Sequence, residues 1–244
     1  MNPPHDSTVA RRFEDVRRQA VDRRDAVPGD AGPTIRIGMA TCGIASGALE
    51  TRDAFEKALD RHGLQARIHT VGCMGHCYAE PYVIIEHPDS GFPPILYPGV
   101  TPGKAQMLTN SFLVDYDPCF EHMLGAVEEN EMIPWVGEFA RFREERRVIM
   151  DRCGRIDPER IDEYLADGGY ATLVGVLTRP PADVVRKIAD SGLRGRGGAG
   201  FATGRKWELA GAQEQVSRIV ICNADEGDPG AYMDRMLLES NPHQ

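Results

Sequence analysis

Apolar and polar positions along this chain recur with two periods, and each change of period marks a new element. Over 8–25, TVARRFEDVRRQAVDRRD, the residues Val9, Phe13, Val16 and Ala20 fall at helical spacing. They predict a short amphipathic helix, which could dock on a partner or lie as a solvated helix. VPGDAGPT (27–34) reads as a linker, with two prolines and two glycines. TIRIGMAT (34–41) then alternates like a strand. GALETRDAFEKALDRHG (47–63) puts Ala48, Phe55 and Leu59 on one helical face and stops on Gly63. LQARIHTVG (64–72), PYVIIEHP (81–88) and PILYPGV (94–100) read as three further strands, the last two joined by the turn DSGFP (89–93). PGKAQMLTNSFL (102–113) supplies a closing helix. Strand, helix, strand, hairpin, helix is a compact α/β plan, placed here at 34–119 behind an N-terminal arm and linker, 1–33.

The pattern changes after that. Residues 120–147, FEHMLGAVEENEMIPWVGEFARFREERR, are charged and read as a mostly helical bridge broken at Pro134. Residues 153–192 predict two or three short helices, with turns at Gly168-Gly169 and Pro180-Pro181. QVSRIVICNADEGDPGAY (215–232) predicts an apolar strand that ends in an acidic, glycine-rich turn. No internal repeat is visible.

Composition narrows the function classes. The 244 residues are 41% apolar and 27% charged, ordinary for a globular protein of one large or two modest domains. The formal charge of -9 leaves no basic excess for phosphate neutralisation, so nucleic acid is not an expected partner. No segment approaches the roughly 20 apolar residues of a membrane span, so direct membrane insertion is not expected either. The start, MNPPHDSTVA, lacks a charged head followed by an apolar core, and the arginine pairs at 11–12, 17–18 and 23–24 are interleaved with acids. Neither a secretory signal nor a transit peptide is expected. Six cysteines in this length are not a disulfide scaffold, which points to the cytoplasm, with thiols used for metal or redox work.

GLRGRGGAGF (192–201) spells G-x-G-x-x-G with Gly195, Gly197 and Gly200. A dinucleotide-binding Rossmann turn needs a strand immediately before its first glycine. Here ADVVRKIADSG precedes it, with Val184, Val185, Ile188 and Ala189 at helical spacing, so the Rossmann reading fails. Glycines at 192, 195, 197, 198 and 200 could still turn backbone N–H groups into an anion-binding concavity flanked by Arg194, Arg196, Arg205 and Lys206. A surface loop is the plain alternative. In CNADEGDPG, Asn223 can pair with a heterocycle edge, while Asp225, Glu226 and Asp228 can accept from sugar or ribityl hydroxyls. Alone, that turn could equally be a calcium-type loop or a solvated turn.

SGLRGRGGAGFATGRKW followed by CNADEGDPGAYMDR resembles the NADH-oxidising flavoprotein subunit (51 kDa type) of complex I and its relatives, the diaphorase subunits of NAD-dependent hydrogenases and formate dehydrogenases. The resemblance runs from about Cys153 to Gln244. It implies an α/β FMN/NADH-binding domain over 148–244, present as its N-terminal part only. Carried over by position, the FMN-binding residues would be Gly195, Arg196, Gly197, Lys206, Asn223, Asp225 and Glu226. Phe201 would stack on the NADH adenine and Asp228 would lie near the nicotinamide; complex I members commonly carry Glu there. Leu209 stands where many members have a second aromatic, which weakens that clamp. The implied chemistry is hydride transfer between NAD(H) and FMN without a protein acid or base, then single electrons to iron–sulfur clusters of a multi-subunit oxidoreductase.

Cys42 in TCGIASGA and Cys73 and Cys77 in VGCMGHC follow the first two predicted strands. The arrangement resembles the thioredoxin-like [2Fe-2S] ferredoxin domain fused to many of these flavoproteins, with a cysteine pair separated by four residues and then a pair separated by three. Cys73 and Cys77 match the second pair. The first is reduced to Cys42, with Ser46 and Gly47 in the region of its missing partner. Four readings stand open: a [2Fe-2S] cluster whose fourth ligand is Ser46, a histidine or another residue; a domain without a cluster that serves docking; zinc with His76 or His69; or a thiol redox pair. Cys222 is expected in a buried strand and Cys153 in a turn or the core. His62, His87 and His122 are expected to be structural or solvent-facing.

In that family the flavin domain continues to a bundle binding a [4Fe-4S] cluster, expected only in a longer form of this chain. The sequence therefore predicts an α/β protein, a thioredoxin-like domain followed by the N-terminal part of an FMN/NADH-binding domain. It would be a subunit passing electrons between NADH and a partner oxidoreductase, cytoplasmic or peripheral to a membrane complex. The alternative is a truncated, inactive module that docks through its thioredoxin-like domain.

Overall fold

The computed structural model describes residues 7–25, 32–214 and 217–244. The linker predicted at 27–34 and the first two residues of the strand predicted at 215–232 lie largely or wholly outside them. Contacts divide the chain into two units: Ala20–Asp167 with Asp225–Gln244, and Met1–Gln19 with Gly168–Ala224. The predicted first helix is present as α1 (Ser7–Asp25).

The first of these units is built on one five-stranded sheet: β1 (Thr34–Gly38), β2 (Arg67–Val71), β3 (Val83–Glu86), β4 (Ile95–Tyr97) and β5 (Gly125–Ala126), in the order β2-β1-β3-β4-β5. β1 pairs parallel with β2 and antiparallel with β3, and β3 pairs antiparallel with β4. A parallel β-α-β unit next to an antiparallel hairpin, closed by a helix, is the thioredoxin-like arrangement the sequence predicts. A parallel neighbour requires a crossover, and α2 (Thr41–Ala45) with α3 (Ala48–His62) supplies it. α3 buries Ala48, Thr51, Ala54, Phe55, Ala58 and Leu59, and Gly63 ends it at φ +63°, a left-handed cap that glycine adopts without strain.

Alternation along the strands gives the sheet two buried faces. Ile35, Ile37, Val83, Ile85, Ile95 and Tyr97 pack with Phe55, Leu108 and Phe112 under α3 and α4 (Pro102–Leu108). On the other side Tyr82, Ile84 and Leu96 pack against Met74, Val136, Trp135 and Phe139.

That second layer corrects the prediction for 120–147. Instead of a helical bridge, these residues form 3₁₀ turns at Phe120–His122 and Val136–Glu138 and the short β5. Leu96 pairs with Gly125, and the Ala126 N–H donates to Pro134 O at 2.8 Å. A Cβ on Gly125 would sit 2.6 Å from Pro134 O, so this close return of the chain selects glycine. Capping an apolar sheet face and pairing an edge strand outweighs helix propensity here.

The short helices predicted over 153–192 are α5 (Ile161–Ala166), α6 (Ala171–Leu177) and α7 (Pro181–Asp190). α8 (Thr203–Gly211) and α9 (Met233–Ser240) complete the chain. α7 and α8 cross so closely that a Cβ on Gly204 would lie 2.3 Å from Ala189 Cα. The strand expected at RIVICN is absent. Residues 217–227 carry no regular structure, Val220 is 96% exposed, and Cys222 is exposed rather than buried. An apolar run becomes a strand only when a neighbour accepts its backbone bonds, and among the described residues none pairs with it.

Candidate functional site

The end of β1 leads into α2 and Cys42, and the end of β2 leads into Cys73 and Cys77, so the parallel pairing of these strands brings all three thiols to one edge of the sheet. Cys73 Sγ and Cys77 Sγ are 3.7 Å apart, and the Cys42 thiol lies near that of Cys77. Cys73 is buried, Cys42 half-buried and Cys77 exposed, so the cluster opens to solvent on the Cys77 side. Gly75 N–H donates to Cys73 Sγ at 3.3 Å. From α9, Ser240 Oγ accepts the Cys73 N–H at 2.8 Å, and Glu239 accepts both the N–H and the hydroxyl of Thr41. Met236 packs beside Cys73 and Ala40.

The site resists holding negative charge unaided. Burial pushes the Cys73 thiol up to about 12, with Cys77 and Glu80 adding to the shift and the Gly75 N–H opposing it. Burial also raises Cys42, helped by Cys77 and opposed by Arg235. A bound cation reverses this balance, because thiolates ligate only when deprotonated.

The sequence pattern does not single out Glu80, yet it belongs to this cluster. It ends the 3₁₀ turn Cys77–Ala79, is 9% exposed, and has its carboxyl against the Cys73 thiol. Oε2 accepts the Tyr82 N–H at 3.3 Å, whereas Oε1 is buried without a hydrogen-bond partner. Burial lifts the carboxyl to about 7, against the Tyr82 N–H and Cys73. A Cβ on Gly38 or Gly43 would fall 2.9 or 3.0 Å from Oε2, so these glycines make room for the carboxyl. The one signal that could have found it is its spacing, three residues beyond Cys77.

The other proposed donors are engaged or turned away. His69 Nδ1 faces Glu163 Oε1 at 3.4 Å. His76 is buried with its ring 4.1 Å from that of Phe142 and Nδ1 3.4 Å from Tyr78 Oη, and burial with Arg147 nearby lowers it to about 4. Ser46 caps α2 and is exposed. Among the described residues no three His, Cys, Asp or Glu side chains are drawn together tightly enough to cage a single ion. The proximities instead run in series, Cys42 by Cys77, Cys77 by Cys73 and Cys73 by Glu80, which gives four donors, the number two irons share in such a cluster. On this observation, and on the orphaned Oε1 of Glu80, the residues fit such a cluster. The remaining candidates are as expected for structural groups: Cys153 is buried, His62 bonds Asn110 at 2.7 Å, His87 packs on Phe112 and Tyr116, and His122 faces Glu121.

The glycine loop follows α7, as predicted. It closes on itself, with Gly195 N–H donating to Phe201 O at 2.8 Å, Thr203 N–H to Leu193 O at 2.9 Å and Arg194 Nη1 to Gly200 O at 2.9 Å. Gly198 and Gly200 sit at φ +100° and +60°, the left-handed region that side chains avoid. Among the described residues the N–H groups from Arg196 to Gly200 make no hydrogen bond, and a Cβ on Gly197 or Gly198 would meet nothing within 4 Å. The concavity is open and lined by donors, and α8 begins at its far side with no side chain capping it. Arg196, Phe201 and Lys206 are all exposed. Asn223 falls at the end of the same unit, while Asp225, Glu226 and Asp228 fall in the other. Glu226 Oε1 accepts the N–H groups of Asp234 and Arg235 at 2.7 and 3.4 Å, capping α9.

Residues 188–244, which hold this loop and the acidic turn, match the model of the Nuo51 FMN-binding domain. The NADP-reducing hydrogenase subunit HndC of Solidesulfovibrio fructosivorans is 52% identical over 101 residues, 41% of this chain and 20% of that protein. An NADH-quinone oxidoreductase subunit of Aquifex aeolicus is 45% identical over 96 residues, 39% of this chain and 22% of the relative. These relatives are oxidoreductase subunits, and this chain spans about a fifth of their length. Among solved structures, a thioredoxin-like [2Fe-2S] ferredoxin from Aquifex aeolicus aligns at 17% identity and TM-score 0.35, over 41% of this chain and 97% of the ferredoxin. An NAD+-reducing [NiFe]-hydrogenase aligns at 19% identity and TM-score 0.35, over 98% of this chain and 40% of the hydrogenase chain. Among the described residues no helix is long and apolar enough to cross a membrane.

Proposed function

We propose that this chain is part of an NADH-oxidising or NAD-reducing flavoprotein subunit that exchanges electrons between NAD(H), FMN and the iron–sulfur clusters of partner subunits. The observation carrying the reading is the match of residues 188–244 to an FMN-binding domain at the loop whose N–H groups from 196 to 200 are unengaged. When bound, FMN supplies the conversion between a two-electron hydride and single electrons. The Gly195–Gly197 backbone would donate to its phosphate, with Arg196 and Lys206 adding positive charge. Asn223 would pair with the ring edge, and Asp225 and Glu226 would accept from ribityl hydroxyls. Glu226 does so with Oε2, since Oε1 already holds α9. Phe201, 47% exposed, would offer its face to the NADH adenine, and Asp228 would stand near the nicotinamide. Cys42, Cys73 and Cys77 would hold a [2Fe-2S] cluster as the next electron site.

Anaerobic addition of NADH to the FMN-loaded 244-residue chain tests this reading. Bleaching of the flavin's visible absorption is the expected result. Phe201→Ala should raise the half-saturating NADH about tenfold, in line with the loss of one base-stacking aromatic, and leave FMN binding unchanged. A flavin that stays oxidised under excess NADH contradicts the proposal.

A further inference from the structure

Three thiols cannot complete a two-iron cluster, which takes four protein ligands. We infer that Glu80 is the fourth ligand, a carboxylate that completes the set begun by Cys42, Cys73 and Cys77. The inference rests on the cluster reading proposed above and goes beyond it by naming the donor.

Glu80 is a buried carboxyl that its protein partners satisfy only in part. Its Oε1 is buried without a hydrogen-bond partner, Oε2 accepts the Tyr82 N–H at 3.3 Å, and the carboxyl lies against the Cys73 thiol. An unsatisfied buried carboxylate oxygen is costly, and ligation satisfies it. The side chain also spans the two cysteine-bearing segments. Its backbone follows the Cys77 turn, while its carboxyl lies against the Cys73 thiol and close to the backbone at Gly38 and Gly43, the latter following Cys42 in the chain. The 3.7 Å between Cys73 Sγ and Cys77 Sγ equals that of two thiolates on one tetrahedral metal with bonds of about 2.3 Å. The rival donors do not compete, since His69 faces Glu163, His76 lies under Phe142 and Ser46 points from an exposed helix end.

The test is anaerobic reconstitution of the full chain and of Glu80→Ala, Glu80→Cys and Cys42→Ser with ferric iron and sulfide. Iron and sulfide content, visible circular dichroism and the electron paramagnetic resonance of the dithionite-reduced sample are read, with far-ultraviolet circular dichroism checking the fold. The wild-type chain should bind two irons and two sulfides. Glu80→Ala and Cys42→Ser should lower cluster content about tenfold. Glu80→Cys should restore it with shifted g values, which a purely structural role for Glu80 would not produce. A folded Glu80→Ala chain with wild-type content and unchanged resonance overturns the assignment and leaves the cluster standing. A wild-type chain that takes no iron and sulfide, or takes one zinc instead, overturns both.

Discussion

At the scale of single residues, this molecule holds its buried charges in two ways. Glu163, buried on α5, is fully satisfied. Burial alone would raise it, but His69, the Asp157 N–H and Arg160 outweigh that and hold it below the usual carboxylate range. Its contribution to stability is therefore present above the unfolded value of about 4.3 and is lost as pH falls through the lower folded value. Glu163→Gln should cost about 1–2 kcal/mol at neutral pH, the scale of hydrogen bonds to a charged group, and flatten the acid limb of a urea-denaturation series. An unchanged acid limb would show that the carboxylate contributes nothing. Glu80 is the opposite case, buried beside thiols with one oxygen unpaired. Cys42, Cys73 and Cys77 were legible as a cluster because each follows a predicted strand. Glu80 was not, because its burial depends on Gly38 and Gly43, some forty residues upstream, leaving space for it.

At the scale of elements, periodicity was informative wherever an element packs on one face. The strands at 34, 67, 83 and 95, α3 with its Gly63 stop, and the three short helices before the glycine loop all occur where the pattern places them. It misled where tertiary pairing decides. Residues 120–147 cap the sheet instead of forming a helix, a return of chain fixed by Gly125 against Pro134. RIVICN has strand composition but no strand to pair with among the described residues. The α7–α8 crossing depends on Gly204 lying against Ala189. Gly204→Ala should destabilise this unit by about 1–3 kcal/mol through overpacking, read as a shift in thermal unfolding and faster hydrogen exchange in α7 and α8. A stability equal to wild type would mean the helices can part without cost.

For the whole chain, two sites of different chemistry sit on one polypeptide: a thiol cluster at the edge of a thioredoxin-like sheet, and a donor-lined glycine loop between α7 and α8. The loop's letters suggest a Rossmann turn, and the helix before it excludes one. The proposal that it cradles phosphate rests on the N–H groups from 196 to 200, which make no hydrogen bond among the described residues, and on its place inside the Nuo51 FMN-binding-domain match. The central claim is that this loop binds FMN, and titration of the 244-residue chain with FMN, followed by flavin fluorescence, tests it most directly. Saturable binding is expected, weakened about tenfold or more by Lys206→Ala and by Gly197→Val, the loss of a charge-assisted contact corresponding to that factor. Gly197→Val fills the cradle without touching the surrounding protein, since a Cβ there meets nothing within 4 Å. Binding that survives both substitutions, or no binding by a folded wild-type chain, would contradict the account.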